Sequence, residues 1–78
     1  MKTIEILGTG CPKCKKLEEQ TRQAALELGM ECNILKVADI MKITAYGVMM
    51  TPALVVDGTV VAVGKIPSLD EIKRLISG

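Results

Sequence analysis

Cys11 and Cys14, three positions apart, are the residues of this chain best suited to do chemistry. A thiolate attacks disulfides, and two thiols held close together can form a reversible disulfide with each other. On a helix, side chains at this spacing have Cβ atoms roughly 5–6 Å apart, slightly wider than the ~3.5–4.5 Å of a disulfide. A small adjustment of the first helical turn closes that gap, so the spacing predicts a redox-active dithiol.

The residues around the cysteines predict a helix that starts directly after a strand. Gly8 and Gly10 allow a sharp backbone turn. Pro12 suits the first helical position, because its φ is fixed near the helical value and its missing N–H is not needed there. Cys11 is then expected at or near the N-cap, with Cys14 one turn inside. A helix N-terminus favours an anion, so we expect the pKa of the Cys11 thiol to lie below the ordinary value of about 8.5.

A stripe of small and apolar residues at helical spacing separates the roles of the two cysteines. The stripe contains Cys14, Leu17, Thr21, Ala24 or Ala25, and Leu28. Cys14 should therefore face the sheet and be shielded, whereas Cys11 precedes the stripe and should be accessible. Lys13, with the lysines that follow Cys14, either adds positive potential at the site or forms a solvated helix face.

The order of elements predicts an α/β fold, βαβαββα, with a four-stranded mixed sheet and helices on both faces. Strands are expected at residues 3–7, 32–37, 53–56 and 59–63. A long helix should end at Gly29, a second helix capped by Asp39 should run to about Tyr46, and a capping box at Ser68 should open the last helix. Asp57-Gly58 predicts a tight hairpin. All 78 residues are expected to form a single domain, 1–78.

Composition restricts the classes of function. The formal net charge of +1 and a single aromatic residue, Tyr46, argue against a nucleic-acid partner. No apolar run approaches the ~20 residues of a membrane helix, and Met1 leads straight into a strand-like pattern without a signal peptide. We therefore expect a cytoplasmic monomer without a cofactor. Three cysteines, an odd number, do not suit a stapled secreted scaffold. Cys32 is expected to be a buried, inert thiol, with regulatory oxidation as the alternative.

The segment Gly8-Thr9-Gly10-Cys11-Pro12-Lys13-Cys14, the pair Thr51-Pro52 and the element order resemble the thioredoxin superfamily. More narrowly, they resemble its minimal thioredoxin-like or glutaredoxin-like redox-active disulfide proteins. The resemblance implies a thiol–disulfide oxidoreductase in which Cys11 is the nucleophile and Cys14 the resolving cysteine. It also implies that Pro52 is a cis proline beside the sulfurs and that the backbone of Thr51 contacts an extended substrate.

The same resemblance implies partners and one further residue. Substrates would be disulfide-containing proteins or small molecules, and electrons would come from a disulfide reductase or another thiol donor. Glu5, six residues before Cys11, corresponds to a buried acid of thioredoxins and could accept the Cys14 proton; the other interpretation is a solvent-facing acid at a sheet edge.

The motif departs from the families that it resembles in three ways. Gly10 stands where thioredoxins carry tryptophan, Pro12-Lys13 stands where they carry Gly-Pro, and Lys13 stands where glutaredoxins carry an aromatic residue. The resemblance therefore implies neither the partners of thioredoxins nor a dependence on glutathione.

Two alternatives remain open at the level of sequence. The first is a Cu(I) carrier that uses the Cys11 and Cys14 thiolates, because Cu(I) prefers sulfur. A closed zinc site is not expected, since structural zinc binds four ligands and the chain has three cysteines and no histidine. The second concerns Met49 and Met50, which either pack in the core and loops or line a substrate groove.

Overall fold

One mixed sheet organises the protein, for which a computed structural model describes residues 2–10 and 12–77. The strands are β1 (Lys2–Leu7), β2 (Cys32–Val37), β3 (Ala53–Val56) and β4 (Thr59–Val63). They lie in the order β2-β1-β3-β4. β1 runs parallel to β2 and antiparallel to β3, and β3 is antiparallel to β4. The ends of β1 and β2 and the start of β3 therefore share one edge of the sheet.

Helices cover both faces of this sheet. They are α1 (Pro12–Leu28), α2 (Ile40–Ala45) and α3 (Leu69–Ser77). On one face, Ile4 and Ile6 of β1 share a buried cluster with Leu17 of α1 and Ile72 of α3. On the other face, Leu7 packs with residues that include Ile43 of α2. The predicted α/β fold, its element order and its helices on both faces are confirmed.

Caps and turns bound the helices and strands at the positions that the sequence predicts. The Asp39 carboxylate accepts a hydrogen bond from the Met41 N–H at 2.9 Å and caps α2. Ser68 Oγ accepts one from the Glu71 N–H at 3.2 Å and caps α3. Asp57 and Gly58 have φ of 50° and 84°, the pair of positive values that a type I′ hairpin turn requires.

The α1 stripe is buried as predicted except at its last member. Thr21 is fully buried, and its hydroxyl donates to the Leu17 carbonyl at 2.7 Å, so no hydrogen-bonding group is lost there. Leu28, in contrast, is 37% exposed. It is the last helical residue, and the chain turns at Gly29, whose N–H bonds back to Leu26 at 3.1 Å. None of the helices in the described part of the chain is long and apolar enough to cross a membrane.

An ion pair between Glu27 and Lys73 joins α1 to α3. The hydrogen bond from Lys73, followed by one from Gln23, lowers the pKa of Glu27, and the same pair raises the pKa of Lys73. The stabilisation by Glu27 is present above the pKa of the unfolded chain, about 4.3, and is lost as pH falls through the lower native pKa. The stabilisation by Lys73 is present below its unfolded pKa, about 10.4, and is lost as pH rises through the higher native pKa.

We therefore expect Glu27→Gln to reduce the free energy of unfolding near neutral pH and to have little effect in acid, where Glu27 of the wild type is protonated. Urea denaturation followed by circular dichroism measures this difference at each pH. Glu31→Gln, at an exposed glutamate, is the charge-matched control. An equal loss for Glu27→Gln at acidic and neutral pH would contradict the prediction.

Candidate functional site

The sulfur of Cys14 packs against the backbone of Gly8. Cys14 lies in the first turn of α1 and is only 6% exposed, which confirms the predicted shielding. Gly8 directly follows β1, is buried, and donates its N–H to the Val37 carbonyl at 2.9 Å. A Cβ at Gly8 would overlap Cys14 Sγ and would lie 3.1 Å from Cys14 Cβ. Gly8 therefore provides space for the sulfur, whereas Gly10, with a φ of 89°, provides the turn.

The Thr51-Pro52 pair reaches the same edge of the sheet. Its peptide bond is cis, which confirms the expectation drawn from the resemblance. Pro52 is buried and Thr51 is exposed, and Thr51 Cβ lies 4.0 Å from the position a Gly8 Cβ would take. The Pro52 carbonyl accepts a hydrogen bond from the Gly64 N–H at 2.8 Å, which ties this loop to the end of β4. The structure thus brings Cys14, Gly8 and Thr51 together.

Cys11 lies outside the described residues, and its predicted N-cap position and accessibility stay predictions. The residues around it are described. Helix α1 begins at Pro12, as the sequence predicts, and Gly10, Pro12 and Lys13 are exposed. The residues on both sides of Cys11 are therefore open to solvent.

Glu5 lies on the opposite face of β1 from Cys14. Its side chain alternates with Ile4 and Ile6, which face α1, and so projects toward the face that α2 covers. It is half-buried and accepts a hydrogen bond from the Tyr46 hydroxyl. The structure brings Glu5 to Tyr46 and not to Cys14, and the role of Glu5 as a proton acceptor stays a prediction.

Tyr46, which the sequence places at the end of the second helix as a packing residue, also makes a polar contact that the sequence did not predict. It is the C-cap of α2, and its hydrogen bond to Glu5 is the main cause that raises the pKa of its hydroxyl. Desolvation and the negative charge of Glu5 raise that pKa further. The sequence held only a weak signal for this contact: Tyr46 is the only aromatic hydroxyl of the chain, and Glu5 needs a donor only once the fold half-buries it.

An apolar groove of about 350 Å³ adjoins the Thr51-Pro52 loop. It is lined by Thr9, Ile40, Ile43, Thr44, Val48, Met49 and Thr51. Ile43 and Val48 are buried and form its floor, whereas Ile40 is 66% and Met49 91% exposed. Met50 is 61% exposed and packs over Gly64, with its Cε 3.2 Å from the position of a Gly64 Cβ. Of the two methionines, Met49 therefore lines the groove.

Cys32 is remote from this edge of the sheet. It starts β2, opposite Lys2 at the start of β1, and packs partly buried against the cluster around Ile4. Cys14 lies beyond the other end of β1. The third cysteine is therefore separated from the motif by the length of the strands.

The four-stranded mixed sheet, the cysteine at the start of α1 and the adjacent cis proline define a protein of the thioredoxin-like α/β class. A family model described as a thioredoxin domain matches residues 2–77. The chain is 45% identical over 74 residues to a thioredoxin of Methanocaldococcus jannaschii, an alignment that covers 95% of this chain and 85% of that protein. It is 38% identical over 77 residues to a thioredoxin of Methanothermobacter thermautotrophicus, covering 99% of this chain and 100% of that relative.

The chain belongs to the thioredoxin superfamily. This confirms the resemblance seen in the sequence. Relatives named thioredoxin support a thiol–disulfide oxidoreductase role, with disulfide substrates and a reductant as its partners.

Proposed function

We propose that this protein reduces disulfides of polypeptide substrates, with Cys11 as the nucleophile and Cys14 as the resolving cysteine. The observation that carries the proposal is the shielded Cys14 sulfur, packed on Gly8 at the start of α1 and close to Thr51 and cis Pro52. A resolving thiol is expected to be sheltered in this way, because it must react with the neighbouring cysteine and not with solvent reagents.

The proposed cycle has two exchange steps. The Cys11 thiolate attacks one sulfur of the substrate disulfide, forms a mixed disulfide, and releases the other substrate sulfur as a thiolate that takes a proton. Cys14 then loses its proton and attacks the Cys11 sulfur. The second substrate thiolate leaves and takes a proton, and a Cys11–Cys14 disulfide remains. Two electrons have passed from the protein to the substrate.

We propose the apolar groove as the binding site for the substrate polypeptide. Thr51 both lines the groove and lies close to Gly8, so a substrate peptide bound in the groove would run close to Cys14. Exposed Ile40 and Met49 suit an apolar side chain that flanks the substrate cysteine. We therefore commit to an extended polypeptide segment as the occupant, with Thr51 offering its backbone and cis Pro52 shaping the loop. Small disulfides would react without these contacts.

The oxidised pair must then be reduced again. We propose a disulfide reductase or another thiol donor as the source of electrons, by the same exchange chemistry run in reverse. A reducing compartment such as the cytoplasm suits this cycle, since structural disulfides are rare there. The protein needs no cofactor of its own for it and would act as a monomer.

One comparison tests the proposal against the Cu(I) alternative. With dithiothreitol as the electron source, the wild-type protein should accelerate the reduction of insulin and of a small aromatic disulfide. Cys32→Ser, which leaves the motif intact, is the matched control and should retain this activity. The Cu(I) carrier would replace the redox function if the wild-type protein reduces neither compound, binds Cu(I) tightly, and has both motif thiols protected from alkylation by the bound metal.

A further inference from the structure

One short segment builds nearly all of the proposed substrate groove. Six of the seven lining residues come from positions 40–51, and Thr9 is the other. This segment contains α2, which has only six residues. A helix of this length is not stable by itself in water, because nucleation costs more than so few hydrogen bonds return. Tertiary contacts must therefore hold the groove wall in place.

Three kinds of contact fix this segment. Asp39 caps its start, and Ile43 and Val48 are buried against the sheet. The third contact is the hydrogen bond from Tyr46 to Glu5. Tyr46 lies between the groove residues Thr44 and Val48, so its position affects both parts of the wall.

Glu5 is a rigid point of attachment. It lies on β1 and pairs in register with Leu35 of β2 on one side and Val55 of β3 on the other. Strands on both sides hold its backbone, and Val55 is fully buried. A side chain bonded to Glu5 is therefore tied to the middle of the sheet.

Resting on the function proposed above, we infer that the Tyr46–Glu5 hydrogen bond positions the groove wall and so sets the affinity for polypeptide disulfides. Neither residue touches the reacting sulfurs in this assignment. Glu5 faces away from α1 and Cys14, and its carboxylate already accepts a hydrogen bond on that other face. In this inference both are positioning residues, and it replaces the proton-acceptor role predicted for Glu5.

The test compares Tyr46→Phe, Glu5→Ala and Glu5→Gln with the exposed-site control Glu31→Gln. Tyr46→Phe and Glu5→Ala should each raise KM for insulin by roughly threefold to tenfold, the range for loss of one partly buried hydrogen bond, with kcat kept. Glu5→Gln keeps an acceptor oxygen and should raise KM less. The double variant should be no worse than either single one, because both remove the same contact. Rates with a small aromatic disulfide should not change.

A spectroscopic measurement supports the kinetics without using activity. Tyr46 is the only tyrosine, so tyrosinate absorbance during a pH titration reports this one hydroxyl. Its pKa should lie above the ordinary value of about 10 in the wild type and fall toward that value in Glu5→Gln. The control Glu31→Gln should titrate like the wild type.

The outcomes separate this inference from the proposed function. An active wild type whose KM is unchanged in Tyr46→Phe and Glu5→Ala would overturn the inference alone. A lower kcat in both Glu5 variants with a shifted pH profile, while Tyr46→Phe is normal, would make Glu5 a proton-transfer group and also overturn it. A wild type that reduces neither disulfide would overturn the proposed function and the inference together.

Discussion

Replacing Cys14 with serine is expected to stop the reaction halfway and to leave the protein covalently joined to its substrate. Cys11 can still attack a disulfide, but no neighbouring thiol remains to displace the substrate from the mixed disulfide. Resolution then depends on external thiols, which lack the advantage of a partner held in place. We expect turnover of insulin to fall by at least about 100-fold. Non-reducing gel electrophoresis and intact-mass measurement would detect the complex.

Cys11→Ser is the variant that makes this result interpretable. It should abolish turnover without any covalent complex, since the attacking thiolate is gone. Cys32→Ser should behave like the wild type. If Cys11→Ser accumulates the mixed disulfide and Cys14→Ser does not, the two cysteines have exchanged roles. When Cys14→Ser is added to a lysate of the native host, the protein that it captures in a mixed disulfide would identify the physiological substrate.

Replacing Gly8 with alanine is expected to disturb both stability and resolution, because the new Cβ would occupy the space of Cys14 Sγ. Overpacking of this kind costs about 1–3 kcal/mol of unfolding free energy. The sulfur must also move from its site, and a misplacement of about 1 Å can cost up to ~100-fold in rate. We expect the mixed disulfide to persist in this variant and Cys14 to alkylate faster. Denaturation in urea and timed alkylation with mass analysis would show these effects.

A double-mutant cycle tests the assigned cause of the Gly8 effect. In a Cys14→Ala background the sulfur is absent, so Gly8→Ala should cost clearly less stability than in the wild type. Gly10→Ala is the matched control. Its Cβ would meet open space, but a φ of 89° strains any other residue, and the Cys14 background should not change that cost. Equal costs of Gly8→Ala in both backgrounds would show that the sulfur is not the obstacle.

Most of the fold could be predicted because its signals are local. The Asp57-Gly58 hairpin, the Asp39 cap and the start of α1 at Pro12 each depend on a few neighbouring residues. The parallel pairing of β1 with β2 follows from the helix that connects them. The end of the α1 stripe was less predictable, since the exposure of Leu28 depends on where the chain leaves the core and not on helical spacing.

In the candidate site, the shielding of Cys14 was predictable from the sequence, whereas the contacts of the site were less so. Motif spacing and helical periodicity pointed to Cys14 as the shielded thiol, and the structure buries it. The cis bond before Pro52 came from resemblance, because sequence by itself gives any X–Pro bond only a small cis fraction, about 5–6% in folded proteins. Met49 was left between two interpretations, and only the packing of α2 and its loop placed it on the groove.

What the sequence determined by itself is therefore the set of elements and the shielded position of Cys14, since these depend on period, caps and residue type; the reactive pair stays a prediction from the motif. What the tertiary structure decided is which side chains meet. Gly8 leaves space for the Cys14 sulfur because β1 ends against the first turn of α1, a contact that no rule of residue spacing predicts. Glu5 meets Tyr46 because the pleat of β1 turns it toward α2, the face opposite the cysteine. Such pairings depend on how sheet and helices stack, and that geometry belongs to the whole chain.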